Sequence, residues 1–287
     1  MSWTTLPRSS SAEGIAWHES GRGQSLVLLH GVGLRAEAWG RQIEALSGHC
    51  RVIVPDLPGH GASAAVSQAN PRLSDYTEAV TAFLDQILDA PAIIAGHSMG
   101  AMIALDVALR DRGDCAGIAA LCGIFRRPPE ARAAVAARAA ELRSTAGDAV
   151  AEAPVARWFG TPVPPVWETA ADLCRHWLRD GDRKGYADAY AAFAQADGPC
   201  PRSLAQLPVP ALFVTGEHDR NSTPAMSRQM AALAPRAEAV IVADAGHMLP
   251  MTHADAVNAL LDRLLRGAVP TEAETGTGTG PAGSEVA

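Results

Sequence analysis

The amino-acid sequence predicts an α/β fold: a mostly parallel central sheet flanked by helices, with a helical insertion in its second half. Three observations predict it. Short apolar runs rich in Val, Ile and Leu recur along the chain, as strands buried on both faces of a parallel sheet require. Between them lie stretches with apolar residues at helical spacing, and strand alternating with helix is the pattern of a sheet covered on both sides. The alternation stops after Phe125 and resumes near Val209.

In chain order, SLVLLH (25–30) and RVIVPD (51–56) are the first two strands. The stretches 36–46 and 73–89 are amphipathic, the second with Val80, Leu84, Ile87 and Leu88 at helical spacing. PAIIAGHS (91–98) is a strand, MGAMIALDVALR (99–110) a helix and AGIAALCG (116–123) a strand. Residues 126–205 are rich in Ala and Arg, have helical periodicity and offer no strand, so they are expected to form a helical cap. VPALFVTGEHD (209–219), a helix near 223–234, AEAVIVADAGH (237–247) and a helix near 254–266 then complete the sheet. Residues 1–125 and 206–266 are thus expected to form the core. Residues 267–287 are Gly, Thr and Pro rich with almost nothing to bury, the composition of a disordered tail.

Composition narrows the function classes. The 287 residues are long enough for a sizeable core. With a net charge of -7 and Lys184 as the sole lysine, the chain lacks the basic footprint of nucleic-acid binding. No basic start with an apolar run marks a leader, and no stretch of about 18 apolar residues marks a membrane span; a reducing cytoplasm is expected. Cys50, Cys115, Cys122, Cys174 and Cys200 are odd in number and widely spaced, without metal-ligand spacing, and are expected to be small buried hydrophobes. No cofactor or metal is implied, a small-molecule substrate is the expected partner, and oligomeric state is not indicated.

Candidate chemistry begins at Gly96-His97-Ser98-Met99-Gly100, between the apolar run AIIA and a helix-forming segment. A serine on a tight strand-to-helix turn needs small neighbours, and such a turn lifts its hydroxyl above the carboxyl ends of the strands. Ser98 could also serve as a plain N-cap. A serine nucleophile needs a base, and His247 follows a strand, at the same end of the sheet as Ser98. His18, His49 and His176 lie in segments expected at the surface or in the cap, while His60 in a turn and His253 at the start of the last helix are expected to be structural. An imidazole base needs its second nitrogen held by a carboxylate; Asp219 closes a strand, with Glu217 and Asp244 as local competitors and a turn-forming Asp as the plain alternative. Some enzymes of this design place the acid after an earlier strand, but LCGIFRR contains no carboxylate. Attack on a carbonyl creates an oxyanion that backbone amides must meet. His30-Gly31-Val32-Gly33 directly follows a strand, so the amides of Val32 and Met99 are the candidate donors, with an ordinary Gly-rich turn as the alternative.

In LVLLHGVG, VIVPDLPGHGAS, GHSMGAMIAL, LFVTGEHD and DAGHMLP, taken in that order, the chain resembles the α/β-hydrolase family over about residues 24–110 and 207–266. The resemblance implies the α/β-hydrolase fold, a serine nucleophile, and a turn beside the active site shaped by Asp56, Gly59 and Gly61. A serine at position 98 argues against dehalogenases and epoxide hydrolases, which carry aspartate there. Within the family the chain is loosely similar to bacterial esterases and 3-oxoadipate enol-lactonases, through GHSMGAMIAL and GYADAYAAFAQAD, although many relatives carry an acidic residue near the position of Thr252. Cleavage of a small carboxylic ester or lactone through an acyl-enzyme is the implied activity. Carbon–carbon bond hydrolysis, lyase or perhydrolase use of the same triad, and a catalytically silent binding protein are the alternatives.

The segment 126–205 holds seven of fourteen aromatics. Trp158, Phe159 and Tyr186 are candidate substrate contacts, although an Ala-rich helical lid also needs bulky residues for its own core. The segment carries eleven Lys and Arg against ten Asp and Glu, a small positive excess in an acidic chain that hints at a substrate carboxylate, although exposed arginines explain it equally well.

Overall fold

A computed structural model describes residues 5–110, 112–144 and 149–267; apart from Gly267, the expected tail lies outside the described residues. Eight strands form one sheet in the order β1-β2-β4-β3-β5-β6-β7-β8. They are β1 (Ser9–Ser10), β2 (Ala16–Ser20), β3 (Ser25–Leu29), β4 (Arg51–Pro55), β5 (Ala92–His97), β6 (Cys115–Leu121), β7 (Ala211–Gly216) and β8 (Ala237–Val242). All pairings from β4 through β8 are parallel. The strands β1 and β2 add an antiparallel edge beyond the strands that apolar runs predict. AWHES alternates on a partly exposed edge and lacks the continuous apolar run that marks the central strands.

Alternation along the strands sends successive side chains to opposite faces, and each face has its own helices. Leu26, Leu28, Val52, Val54, Ile93 and Ala95 pack with Ile43 and Leu46 of α1 (Gly40–Leu46) and with Val257, Leu261 and Leu264 of the last helix, α11 (Ala254–Leu265). The spacing of those three, four and three residues, is the core-facing stripe that the sequence pattern promised. Val27, Leu29, Ile53, Ile94 and Phe213 face α2 (Leu73–Ile87), α3 (Met99–Leu109) and α9 (Pro224–Leu233). Each fully buried aliphatic side chain of this kind contributes about 1.5–3 kcal/mol. Helix α3, pressed between sheet and α2, is buried on nearly every side.

Between β6 and β7 run α4 (Pro129–Ser144), α5 (Ala149–Phe159), α6 (Glu168–Asp180), α7 (Arg183–Gln195) and the short α8 (Pro201–Leu204); α10 (Leu249–Thr252) follows β8. Helix α4 packs on α7, α5 on α6, and α7 also meets α2 of the core. At one point the two layers touch main chain to main chain: a Cβ on Gly59 would stand 2.8 Å from Gly185 Cα, and one on Gly185 would stand 2.4 Å from the Gly59 carbonyl oxygen. Cys50, Cys122 and Cys174 are buried as expected, whereas Cys200 is exposed and Cys115 half-buried. Cys200 caps α8, accepting the Ser203 amide, and that position at a helix start faces solvent. Among the described residues, no helix is long and apolar enough to cross a membrane.

Candidate active site

The chain leaves β3, lays β4 on one side of it and β5 on the other, so the loops after β3 and β5 flank a switch point, where open α/β sheets bind ligands. Ser98 sits there with φ 55 and ψ -113, a strained conformation that costs roughly 1–3 kcal/mol and persists only if its surroundings enforce it. They do so by closeness. A Cβ on Gly96 would lie 2.1 Å from the Gly100 carbonyl oxygen, and one on Gly100 would lie 2.2 Å from that of Leu29. The Ser98 amide donates to Leu121 O of the neighbouring strand at 2.8 Å, which pins the turn to β6.

His247 Nδ1 lies 2.7 Å from Asp219 Oδ2, with both side chains buried. Asp219 Oδ1 accepts the amides of Asn221 and Ser222 at 2.8 and 3.0 Å. Burial opposes the ionised carboxylate, but the His247 ring and these amides outweigh it and hold Asp219 below its ordinary value. Glu217 and Asp244, the competing acids, are exposed, and the Glu217 carboxylate accepts the Asp244 amide. With Nδ1 engaged by Asp219, His247 keeps Nε2 for a second partner.

Two further buried groups hold the His247 backbone. His97 Nε2 lies 2.8 Å from the His247 carbonyl oxygen and the Cys122 thiol lies 3.3 Å from it. Burial, with the adjacent His247 ring, lowers His97 to about 3, and burial beside Asp219 pushes the Cys122 thiol well up. Both groups are therefore neutral donors to one shared carbonyl.

In the loop after β3, Leu34 N donates to Gly31 O at 3.1 Å and Gly33 N to His60 Nε2 at 2.9 Å. Among the described residues, the amides of Val32 and Met99 meet no acceptor within the protein. The fully buried Asp56 accepts from Ala36 N and Ala62 N at 2.8 and 2.9 Å and pairs with Arg8 Nε at 2.9 Å. A Cβ on Gly61 would collide with its carboxylate. Asp56, Gly59 and Gly61 thus form the turn that the resemblance implied, with Arg8 as a partner the sequence did not reveal.

A cavity of about 240 Å³ opens where these loops meet α4, α5 and α7, and Ser98, His247 and Val32 line it. So do Arg127, Arg138, Arg157 and Arg220, whereas no Asp or Glu is among the described lining residues. Arg127 is buried over the Phe193 ring and donates to Ala196 O and Phe193 O. Arg138 Nε donates to the Tyr190 hydroxyl at 3.2 Å.

Of the three aromatic candidates Trp158 lines this cavity, but Phe159 and Tyr186 do not. Phe159 is buried in the core of the helical segment. Tyr186 is buried between Gly33 and Tyr190 and lines smaller cavities next door. Tyr190 and Phe193, one and two turns further along α7, line the main cavity instead. Only their spacing from Tyr186 in GYADAYAAF could have pointed to them.

Comparison with known proteins adds to this geometry. A family model described as "Alpha/beta hydrolase family" matches residues 26–260. The chain is 37% identical over 242 residues, 84% of this chain and 90% of the other, to (E)-2-((N-methylformamido)methylene)succinate hydrolase of Acinetobacter baylyi. Among solved structures it is similar to an enol-lactonase from Burkholderia xenovorans, with a TM-score of 0.81, 27% identity and coverage of 91% and 100% of the two chains. It is likewise similar to a malate-bound esterase from Thermogutta terrifontis, with a TM-score of 0.78, 26% identity and coverage of 89% and 94%.

Proposed function

This chain belongs to the alpha/beta hydrolase family, and from that premise we propose that it is a serine hydrolase cleaving a small ester or lactone that carries a carboxylate. Ser98 Oγ attacks the carbonyl carbon while His247 Nε2 takes its proton, and Asp219 steadies the imidazolium. The amides of Val32 and Met99 receive the oxyanion. His247 then protonates the departing oxygen, leaving an acyl-Ser98 ester that a water, deprotonated by His247, cleaves to the acid. In this reading 126–205 acts as the cap that selects the acyl group, the core is 1–125 with 206–266, and the enzyme works in the cytoplasm.

The observation that carries the reading is the shared cavity. Ser98 on its strained turn and His247 bonded to Asp219 line one cavity with four arginines and no described carboxylate. Of the four, Arg127 is turned to main-chain carbonyls and lies 3.6 Å from Asp197, so Arg138, Arg157 and Arg220 carry the reading. An anionic acyl compound matches that charge, since Arg binds carboxylates bidentately. The relative from Acinetobacter is named for a succinate substrate, which agrees. That relative also favours a second reading in which the bond cleaved is the carbon–nitrogen bond of an amide. Nothing in the triad distinguishes the two, because either carbonyl passes through the same tetrahedral adduct.

The test compares matched substrates: a half-ester of a dicarboxylic acid, the corresponding neutral diester, and an N-formyl enamine bearing a carboxylate. Ser98→Ala is expected to remove at least about 10³-fold of turnover on whichever is cleaved while leaving the fold intact. Near-normal activity in that variant would sink the mechanism, and equal rates on half-ester and diester would sink the anionic substrate class.

A further inference from the structure

The loop after β3 and the turn after β4 are laced together by two histidines in opposite senses. His30, from the first loop, accepts the Leu57 amide of the turn on Nε2 at 2.8 Å, and its Nδ1 lies 2.8 Å from Gly31 O. His60, from the turn, accepts the Gly33 amide of the loop on Nε2 at 2.9 Å, and its Nδ1 lies 3.1 Å from Pro58 O. The rings stand edge to face, 5.2 Å apart. Each imidazole must carry its proton on Nδ1 and a lone pair on Nε2, because its two partners are a carbonyl and an N–H. Both rings are buried, so neither contact can be traded for water.

We propose that His60 is a positioning residue for the oxyanion hole: by taking up the Gly33 amide it fixes the loop so that Val32 N–H is the donor presented to the cavity. Leu34 N and His30 Nδ1 hold the Gly31 carbonyl oxygen on one side of Val32, and His60 holds the Gly33 amide on the other. Gly33 has φ +78, a conformation open to glycine, and it lies against Leu178 and Tyr186 of the helical segment, where a Cβ would come within 2.7 and 2.8 Å. Val32 lines the cavity, and a hydrogen-bond donor displaced by a fraction of an ångström loses most of its hold on a developing oxyanion. Burial lowers His60 and carries His30 down to about 3, which keeps both rings neutral and the lacing intact at ordinary pH. This role rests on the serine-hydrolase reading above, and the experiment separates the two.

His60→Gln and His60→Leu are compared with wild type on the preferred ester, with thermal unfolding and circular dichroism measured alongside. Glutamine can still accept the Gly33 amide, whereas leucine cannot. Expected are a fall in kcat of tenfold or more for leucine, KM within about threefold, partial recovery in glutamine, and slower labelling of Ser98 by a fluorophosphonate, whose adduct mimics the oxyanion. Folded variants with wild-type kcat and only a lowered Tm would overturn the proposal. Should neither variant fold, ¹⁵N NMR of the wild-type enzyme decides. A neutral His60 protonated on Nδ1, with the Val32 amide shifting more than the Gly33 amide when a boronic acid adds to Ser98, supports the proposal; the reverse pattern overturns it. An active wild type beside an unimpaired variant removes only the role of His60, whereas absence of Ser98-dependent turnover in the wild type removes the reaction itself.

Discussion

Asp219 does more than supply charge. Its Oδ1 is held by two amides while Oδ2 meets His247 Nδ1, so it sets which nitrogen of the ring carries the proton. Asp219→Asn keeps the shape but can present an N–H to Nδ1 and reverse the tautomer. A fall in kcat of about 10³–10⁴-fold is expected, measured with the fold checked by circular dichroism. In the proposed function the arginines act on binding instead. Arg138→Gln and Arg157→Gln are each expected to raise KM for the half-ester about tenfold, the value of one charge-assisted hydrogen bond, and to leave the neutral diester unchanged. Steady-state kinetics on both substrates checks this. Ser98, Asp219 and His247 were legible because each follows an apolar run that ends in a loop. The arginines were not singled out, because helical periodicity in an Ala- and Arg-rich segment does not tell a cavity face from a solvent face. Phe159 and Tyr186 lie outside the main cavity: aromatic enrichment marks a buried helix but not which turn of it reaches the site.

Strands β3 to β8, each with an apolar stretch before its loop, could be read in the sequence, whereas the hairpin of β1 and β2 could not. Its half-exposed AWHES draws its order from pairing with β4, a contact between segments some 35 residues apart, and its two residues at 9–10 pair in turn with AWHES. The junction of β5 and α3 depends most on one small residue. Gly100→Ala would drive a methyl group to 2.2 Å from the main chain of β3, and backbone cannot retreat as a side-chain tip can. A loss of about 3 kcal/mol or more is expected, at the upper end for overpacking, together with reduced Ser98 labelling; urea unfolding and the fluorophosphonate rate check it. The lacing of His30 and His60 escaped the sequence altogether, since each imidazole is satisfied by a main-chain amide 27 residues away.

Across the molecule, His30, His60 and His97 are buried, and burial lowers all three, His30 and His97 to about 3. In the unfolded chain they take up protons near pH 6.5, which the folded chain refuses. Stability is therefore whole above pH 6.5 and falls as the pH drops toward 3, His30 and His97 each adding up to about 1.4 kcal/mol per pH unit. Between pH 6.5 and 5.5 His30 and His97 together are expected to cost on the order of 2 kcal/mol, and His60 shifts the balance in the same direction. Asp56 and Asp219, held below their ordinary values, add to the loss only below about pH 4. Urea midpoints at pH 7.5, 6.5 and 5.5 measure the effect, and a flat profile would contradict it.

The contact of Gly59 with Gly185 acts on the whole molecule in another way. Where side chains meet, the gap between two layers can be retuned by exchanging one residue for another. Where peptide meets peptide, the spacing is set by atoms common to every residue. At this point the two layers are therefore held at a gauge that exchanging side chains does not reset. Under the proposed reading, discrimination among acyl groups then falls to the residues that line the cavity, Trp158, Tyr190 and Phe193 among them, as calipers locked at one setting measure only what is put between their jaws.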